Sequence, residues 1–232
     1  MRRVLRTIQG TTLDTDIIRE KDDKARNEVY WRSYDLIVLG DVNASLLGEA
    51  GMTAIARRVR NGGSLLTLGG MSSYGPGGFE GTPLDDVLPF RVTSSDKFSG
   101  TPTQLLPTQE AAQYPFMQVF KENLGYRELF SAYSKLPKLA GVDLVTGIKA
   151  DAVMLARTEK MEPLIAVRST GSGRAVALAF DTTWLWAFNE REGDDDTFPI
   201  FDRFWRRLAL ELVFSGKDTA LSVDVSSDRG HA

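Results

Sequence analysis

Two short apolar runs on either side of one amphipathic segment constrain the fold of this 232-residue chain more than any other feature. Residues 34–41 (YDLIVLGD) are apolar between polar ends, a pattern typical of a strand buried on both faces of a parallel sheet. Ser64–Leu68 has the same character. The apolar stripe between the runs predicts a helix that is capped by Asn43 or Ser45 and ends at Arg60. Together they predict a right-handed βαβ unit and a parallel sheet.

The second half of the chain adds further strands and one long helix. Apolar runs at 152–156, 163–167 and 175–180 predict strands, and the glycine–serine turn at 171–173 makes the last two a β-hairpin. Residues 199–214 place apolar side chains on one broad face, which predicts a final amphipathic helix.

Composition excludes several function classes. The formal net charge is −3, and the arginine clusters alternate with acidic residues, so no coherent basic face for nucleic acid is predicted. The chain has no cysteine, which excludes disulfides, thiolate metal sites and cysteine nucleophiles. No apolar run approaches the roughly 18–20 residues of a membrane span, so this chain does not insert into a membrane by itself.

A glycine-rich loop follows the second strand, where many α/β enzymes carry their nucleophile. A nucleophile elbow has the form G-x-S-x-G, whereas residues 70–74 read GMSSY and place Tyr74 at the second glycine. A serine nucleophile at Ser72 would need a histidine base, and the single histidine is His231, next to the last residue. The alternative is that Ser72 hydrogen-bonds nearby backbone groups.

Three further segments each allow a structural and a functional interpretation. Residues 171–174 (GSGR) contain part of a dinucleotide fingerprint but lie between two strands, which favours a turn. The acidic run at 190–196 lacks the ligand spacing of a calcium loop, which favours a solvated loop, and no metal site is predicted. Trp184 and Trp186 either pack against the last helix or contact a ligand.

Six segments resemble the bacterial family of glutamine amidotransferase-like domains, and they lie between residues 34 and 214. They are 34–41 (YDLIVLGD), 59–70 (VRNGGSLLTLGG), 75–84 (GPGGFEGTPL), 173–178 (GRAVAL), 181–184 (DTTW) and 204–208 (FWRRL).

The resemblance implies an α/β fold related to class I glutamine amidotransferases: a flavodoxin-like three-layer sandwich with a mostly parallel sheet and a C-terminal hairpin. Active members of that superfamily carry a cysteine elbow and a triad of Cys, His and Glu. Here the elbow falls at about residues 69–71, which contain no thiol, and no histidine lies within 34–214. The resemblance therefore implies a fold without glutamine hydrolysis.

The sequence favours a non-catalytic module that binds a small ligand or a protein partner, with no cofactor. In open α/β sheets ligands bind outside the carboxyl ends of the strands. The predicted site contains Gly40, Asp41, Gly69, Gly70, Met71, Ser72, Tyr74, Asp181 and Trp184. The backbone N–H groups of the glycines would bind a carboxylate or phosphate, with Tyr74 and Trp184 at the sides. Two alternatives stay open: the glycines only close a tight turn, or Asp41 or Asp181 is the base of a hydrolase or transferase.

We expect one domain over residues 1–216, with a short strand at 3–8, and a tail at 217–232 that begins a further segment. The family pattern opens with a strand and a helix that this chain lacks, so we expect a truncated member or a fragment of a longer protein. The default compartment is the cytoplasm. A membrane-anchored parent protein and a homo-oligomer are both left open.

Overall fold

The computed structural model describes residues 23–188 and 200–214. The α-helices are α1 (Glu28–Trp31), α2 (Ala44–Arg60), α3 (Tyr126–Tyr133) and α4 (Ile200–Phe214). The strands are β1 (Leu36–Gly40), β2 (Ser64–Leu68), β3 (Phe90–Arg91), β4 (Lys97–Ser99), β5 (Leu106–Pro107), β6 (Val142–Leu144), β7 (Gly147–Ile148), β8 (Ala152–Arg157), β9 (Pro163–Thr170) and β10 (Gly173–Leu178). Short 3₁₀ helices cover Asp23–Arg26, Glu110–Gln113, Pro115–Met117 and Thr182–Phe188.

The described part of the chain is an α/β structure around a mixed sheet. Six strands form the main sheet in the order β1-β2-β10-β9-β8-β5. β1 and β10 pair with β2 in parallel, whereas the three remaining neighbouring pairs are antiparallel. The prediction of a mostly parallel sheet is therefore wrong. The physical reason is that short turns join β8 to β9 and β9 to β10, and a short turn can only connect antiparallel neighbours.

The βαβ unit forms as predicted. Asn43 caps α2, because its side-chain oxygen accepts a hydrogen bond from the backbone N–H of Ser45 at 2.9 Å. Along the helix, Ile55 and Val59 are fully buried, and the basic side chains of the last turn complement the negative end of the helix dipole.

The parallel strand β2 lies at the centre of the core. All five of its residues are buried, and both α2 and α4 contact it. The hydroxyl of Ser64 donates a hydrogen bond to the carbonyl of Leu212 on α4, which satisfies a buried polar group. The glycine-rich loop begins directly after this buried strand, at Gly69.

Several sequence predictions fall outside the described residues: the strand at 3–8, the acidic run at 190–196, His231 and the tail at 217–232. Among the helices of residues 23–188 and 200–214, none combines the length and apolar character that a membrane crossing requires.

Candidate functional site

The carboxyl ends of three neighbouring strands meet at one edge of the sheet. Gly40 of β1 and Leu178 of β10 both pair with Leu68, the last residue of β2. The three strands run in the same direction, so the residues that follow them emerge together. These residues are Asp41 after β1, Gly69 and Gly70 after β2, and Asp181 shortly after β10.

Asp41 lies against the loop that follows β2. Its φ of 48° is in the left-handed region, which Asp adopts more readily than most residues. Its Oδ1 accepts a hydrogen bond from the backbone N–H of Ser72 at 2.6 Å. A Cβ at position 70 would lie 2.3 Å from that same Oδ1. Glycine is favoured at position 70 for two reasons: this carboxylate occupies the space of a side chain, and the φ of 154° is one that L side chains rarely adopt.

Asp143 is the residue of this site that the sequence did not predict. It belongs to β6, and its side chain is only 1% exposed. Its Oδ2 accepts a hydrogen bond from the backbone N–H of Gly70 at 2.9 Å, and its own N–H donates to the carbonyl of Ala179 at 2.7 Å. Its Oδ1 is buried and has no hydrogen-bond partner in the described structure. Asp143 thus ties the loop after β2 to the end of β10.

One sequence signal could have identified Asp143. It is a single carboxylate within the otherwise apolar segment 141–145 (GVDLV). A charged side chain in an apolar run is costly to bury, so its presence there indicates either a partner or a function.

Burial and like charge act together on these carboxyl groups. Burial is the main reason that the pKa of Asp143 rises to about 7; the hydrogen bond from Gly70 opposes this rise, and the charges of Asp41, Asp181 and Asp96 contribute to it. Partial desolvation, and then the charge of Asp41, raise the pKa of Asp181 as well. Asp41, Asp143 and Asp181 therefore interact electrostatically, and we call them the acidic cluster.

No positive side chain neutralises the acidic cluster within residues 23–188 and 200–214. The ion pairs of that part of the chain join Arg and Lys to other carboxylates, for example Arg60 to Asp86 at 3.2 Å and Lys149 to Asp85 at 3.0 Å. Asp41 and Asp181 are exposed at the surface, with the buried Asp143 behind them. The site is therefore a negative surface with a buried carboxyl group beneath it.

Two backbone N–H donors of the loop already have carboxylate acceptors. The N–H of Gly70 donates to Asp143 and the N–H of Ser72 donates to Asp41. The sequence prediction assigned N–H groups of this loop to a carboxylate or phosphate ligand. Two carboxylates of the chain itself occupy the donors of Gly70 and Ser72, so an anion would meet negative charge here.

Tyr74 lies in the core, although the sequence predicted it at the side of the site. It is 1% exposed, and its hydroxyl donates to the carbonyl of Leu178 at 2.8 Å and lies 3.0 Å from Oγ1 of Thr67. Burial raises its pKa well above the usual value. A side chain in this position holds the loop on β2 and β10 and presents no surface to a ligand.

Of the two tryptophans after β10, Trp186 lies in the core and Trp184 lies at the surface. Trp186 is 1% exposed, packs edge-on against Phe204, and donates its indole N–H to the carbonyl of Pro137 at 3.2 Å. Trp184, by contrast, is 52% exposed, and Met71 in the neighbouring loop is 72% exposed. Apolar surface is therefore present beside the acidic cluster.

The described residues contain neither a thiol nor an imidazole, because the chain has no cysteine and His231 lies outside them. The hydroxyl of Ser73 donates to the carbonyl of Leu68 at 2.8 Å, an ordinary structural contact. In the same part of the chain, no three His, Cys, Asp or Glu side chains are grouped closely enough to hold a metal ion.

Comparison with known proteins agrees with this architecture. The Cytoplasmic Protein STM1381 from Salmonella typhimurium LT2 superposes with a TM-score of 0.61 and 19% identity over 81% of this chain and 75% of its own. The Cytoplasmic Protein STM3548 from Salmonella typhimurium gives a TM-score of 0.58 and 15% identity over 80% and 74%. Identities this low establish a shared fold alone.

No curated protein sequence matches the chain. A family model does match, over residues 27–210, and its description is "Putative glutamine amidotransferase". The matched region includes β1, α2, β2, the glycine-rich loop, the hairpin of β9 and β10, and most of α4. The chain therefore belongs to this glutamine amidotransferase-like family.

Proposed function

We propose that this chain is a non-catalytic glutamine amidotransferase-like domain of flavodoxin-like architecture, which binds a small ligand or a partner protein beside the acidic cluster. One observation carries the proposal: the backbone N–H groups of Gly70 and Ser72 donate to Asp143 and Asp41. Enzymes that transfer acyl groups keep backbone N–H donors free, so that these donors can stabilise a developing oxyanion. In this chain carboxylates occupy those donors, which disfavours that chemistry.

The proposed binding surface keeps most of the residues that the sequence indicated and adds one. It consists of Gly40, Asp41, Gly69, Gly70, Met71, Ser72, Asp143, Asp181 and Trp184, without Tyr74. Two depressions in the described surface lie at the opposite end of β2, and the larger, of about 460 Å³, is lined by Arg32, Arg57 and Arg58 among others. Asp41 and Asp181 are exposed to solvent, which suits binding better than catalysis, because catalysis needs water to be excluded.

A second candidate is a hydrolase or transferase that uses a carboxylate as general base. The pKa of about 7 for Asp143 favours it, because catalytic acids and bases work best near the operating pH. However, Asp143 is buried, so a substrate would contact Asp41 or Asp181 instead.

We expect the purified full chain to release no ammonia from glutamine above the level of a heat-denatured sample, because the chain has no thiol and its single histidine, His231, is next to the last residue. The measurement is a coupled ammonia assay at several pH values, together with hydrolysis of p-nitrophenyl acetate by the chain and by its Asp181→Asn variant. Equal background rates for both proteins support a non-catalytic domain. Turnover that the substitution removes would show that the chain is an enzyme.

The binding part of the proposal is tested with arginine, glutamate and inorganic phosphate as probes in ¹H–¹⁵N spectra. Saturable shifts of the Gly70 and Ser72 amides and the Trp184 indole with any one probe support a binding site at the acidic cluster. If all three probes leave these resonances unchanged while the protein is folded, the proposed location is wrong.

A further inference from the structure

Within residues 23–188 and 200–214 the acidic cluster has no ion-pair partner, unlike several other carboxylates of the fold. Asp85, Asp86 and Asp151 each form an ion pair with Lys or Arg, at 3.0, 3.2 and 2.8 Å. Asp41 and Asp181 have no such partner among residues 23–188 and 200–214. Like charges held together repel each other, so a bound cation would relieve the repulsion.

A second, independent observation is the unpartnered oxygen of Asp143. This side chain is 1% exposed, and Oδ1 has no hydrogen bond, although buried polar atoms in native proteins are nearly always paired. The partner of its Oδ2 is Gly70, in the same loop that bonds to Asp41. A buried carboxyl group that is left half satisfied, and on which the charges of two exposed carboxylates act, is therefore short of a positive neighbour.

The third contribution is an aromatic ring at the same edge. Trp184 lies three residues after Asp181, in the 3₁₀ helix Thr182–Phe188. Asp181 directly precedes this helix and Trp184 lies in its first turn, so both residues follow β10 at the same edge of the sheet. The indole is half exposed, and an indole face attracts cations.

From these three observations we infer that the acidic cluster and Trp184 bind a guanidinium group. A guanidinium is planar, donates two parallel hydrogen bonds to a carboxylate and stacks on an aromatic face, whereas an ammonium is a compact and strongly hydrated charge. Asp41 and Asp181 accept its hydrogen bonds, and the indole of Trp184 covers its face. This inference rests on the proposed function, because it requires that the edge of the sheet is a binding surface.

The inference also predicts how affinity depends on pH. The ionisable groups around Asp143 are Asp41 after β1, Asp181 after β10, Asp96 before β4 and the buried Tyr74, whose pKa is raised and which therefore stays neutral, and none of them is basic. A bound cation favours the ionised form of Asp143, so binding releases a proton near neutral pH. Affinity for the cation therefore rises as the pH increases from 6 to 8.

The test is a titration of the full chain with N-acetyl-arginine methylamide, followed by the Gly70 amide and the Trp184 indole. The citrulline analogue, which has the same shape without the charge, should bind at least about tenfold more weakly. The Asp41→Asn and Asp181→Asn variants should each lose about three- to tenfold in affinity, and Trp184→Ala about threefold. Asp86→Asn, at the other end of α2, removes an exposed carboxylate and should leave affinity unchanged.

Both asparagine variants keep an acceptor oxygen, so the Ser72 contact of Asp41 can persist and a folding defect is not expected. Affinity for the probe should rise about threefold or more from pH 6 to pH 8 in the wild type and stay level in Asp143→Asn. A peptide with one central arginine distinguishes the source of the group. Tighter binding of the peptide indicates a protein partner, and equal affinity indicates a small guanidinium compound.

The outcomes separate this inference from the proposed function. If glutamate or phosphate shifts the site and the arginine probe does not, the guanidinium inference is overturned while a binding module remains. Equal affinity for arginine and citrulline also overturns it. If no probe perturbs the site, both the inference and the proposed location fail.

Discussion

The Gly69→Ala variant is expected to lose about 3 kcal/mol or more of unfolding free energy. A Cβ at this position would lie 2.3 Å from Oδ2 of Asp143, 2.4 Å from the backbone N of Phe180 and 2.5 Å from the backbone C of Ala179. Two of these contacts are main-chain atoms at the end of β10, which cannot rotate away. Urea denaturation followed by circular dichroism measures the loss, and Gly100→Ala is the matched control.

Gly100 has no heavy atom within 4 Å of its ideal Cβ, so its alanine variant should stay within about 0.5 kcal/mol of the wild type. Gly70→Ala is destabilising for a different reason, because the φ of 154° at this position is one that L side chains rarely adopt, whereas the Asp41 side chain that the new Cβ would meet is exposed and can move. We expect a loss of about 1 to 2 kcal/mol there. A Gly69→Ala protein as stable as the Gly100→Ala protein would contradict the close approach of β2 and β10 described above.

The βαβ unit was predictable because its signals are local. Continuous apolar runs gave β1 and β2, and Asn43 marked the start of α2. The direction of the later strands was harder to predict from the sequence. An apolar run such as 152–156 reads the same in either orientation, so its antiparallel pairing with β9 depends on the length of the connecting turn.

The segment between β3 and β8 was the least predictable part of the fold. Its strands contain only two or three residues, too few for an alternating pattern to appear. The structure has the 3₁₀ helix Pro115–Met117 in this segment, and α3 begins later, at Tyr126. In this segment burial against α4, more than helix propensity, decides the conformation.

The candidate site was predictable where it depends on topology. Asp41, Gly69, Gly70 and Asp181 follow parallel neighbouring strands, and the carboxyl ends of such strands must meet. Asp143 was missed because it reaches Gly70 across 73 positions of the sequence, and no local pattern reports that contact. Because Asp143 adds a third carboxyl group, the site carries negative charge and does not suit the anion that the sequence predicted.

Asp143 also makes the stability of the protein depend on pH. The ordinary pKa of its carboxyl group is 3.8, and in the folded protein burial raises the pKa to about 7. The folded state therefore holds a proton that the unfolded chain releases between about pH 4 and pH 7, so stability falls as the pH rises through this window. Each pKa unit is worth about 1.4 kcal/mol, so the loss above pH 7 is about 4 kcal/mol.

The Asp143→Asn variant is expected to be about 2 kcal/mol more stable than the wild type at pH 8 and about equally stable or slightly less stable at pH 4. The amide oxygen can still accept from the N–H of Gly70, and the variant has no charge to bury. The gain is less than the full 4 kcal/mol because the amide NH₂ takes the unpartnered place of Oδ1. Urea unfolding of both proteins at pH 4, 6 and 8 measures the difference, which isolates Asp143 from Asp181 and Glu211, whose pKa values are also raised. A difference between the two proteins that stays constant across this range would show that Asp143 is ionised throughout, and would remove the proton release on which the pH dependence of guanidinium binding depends.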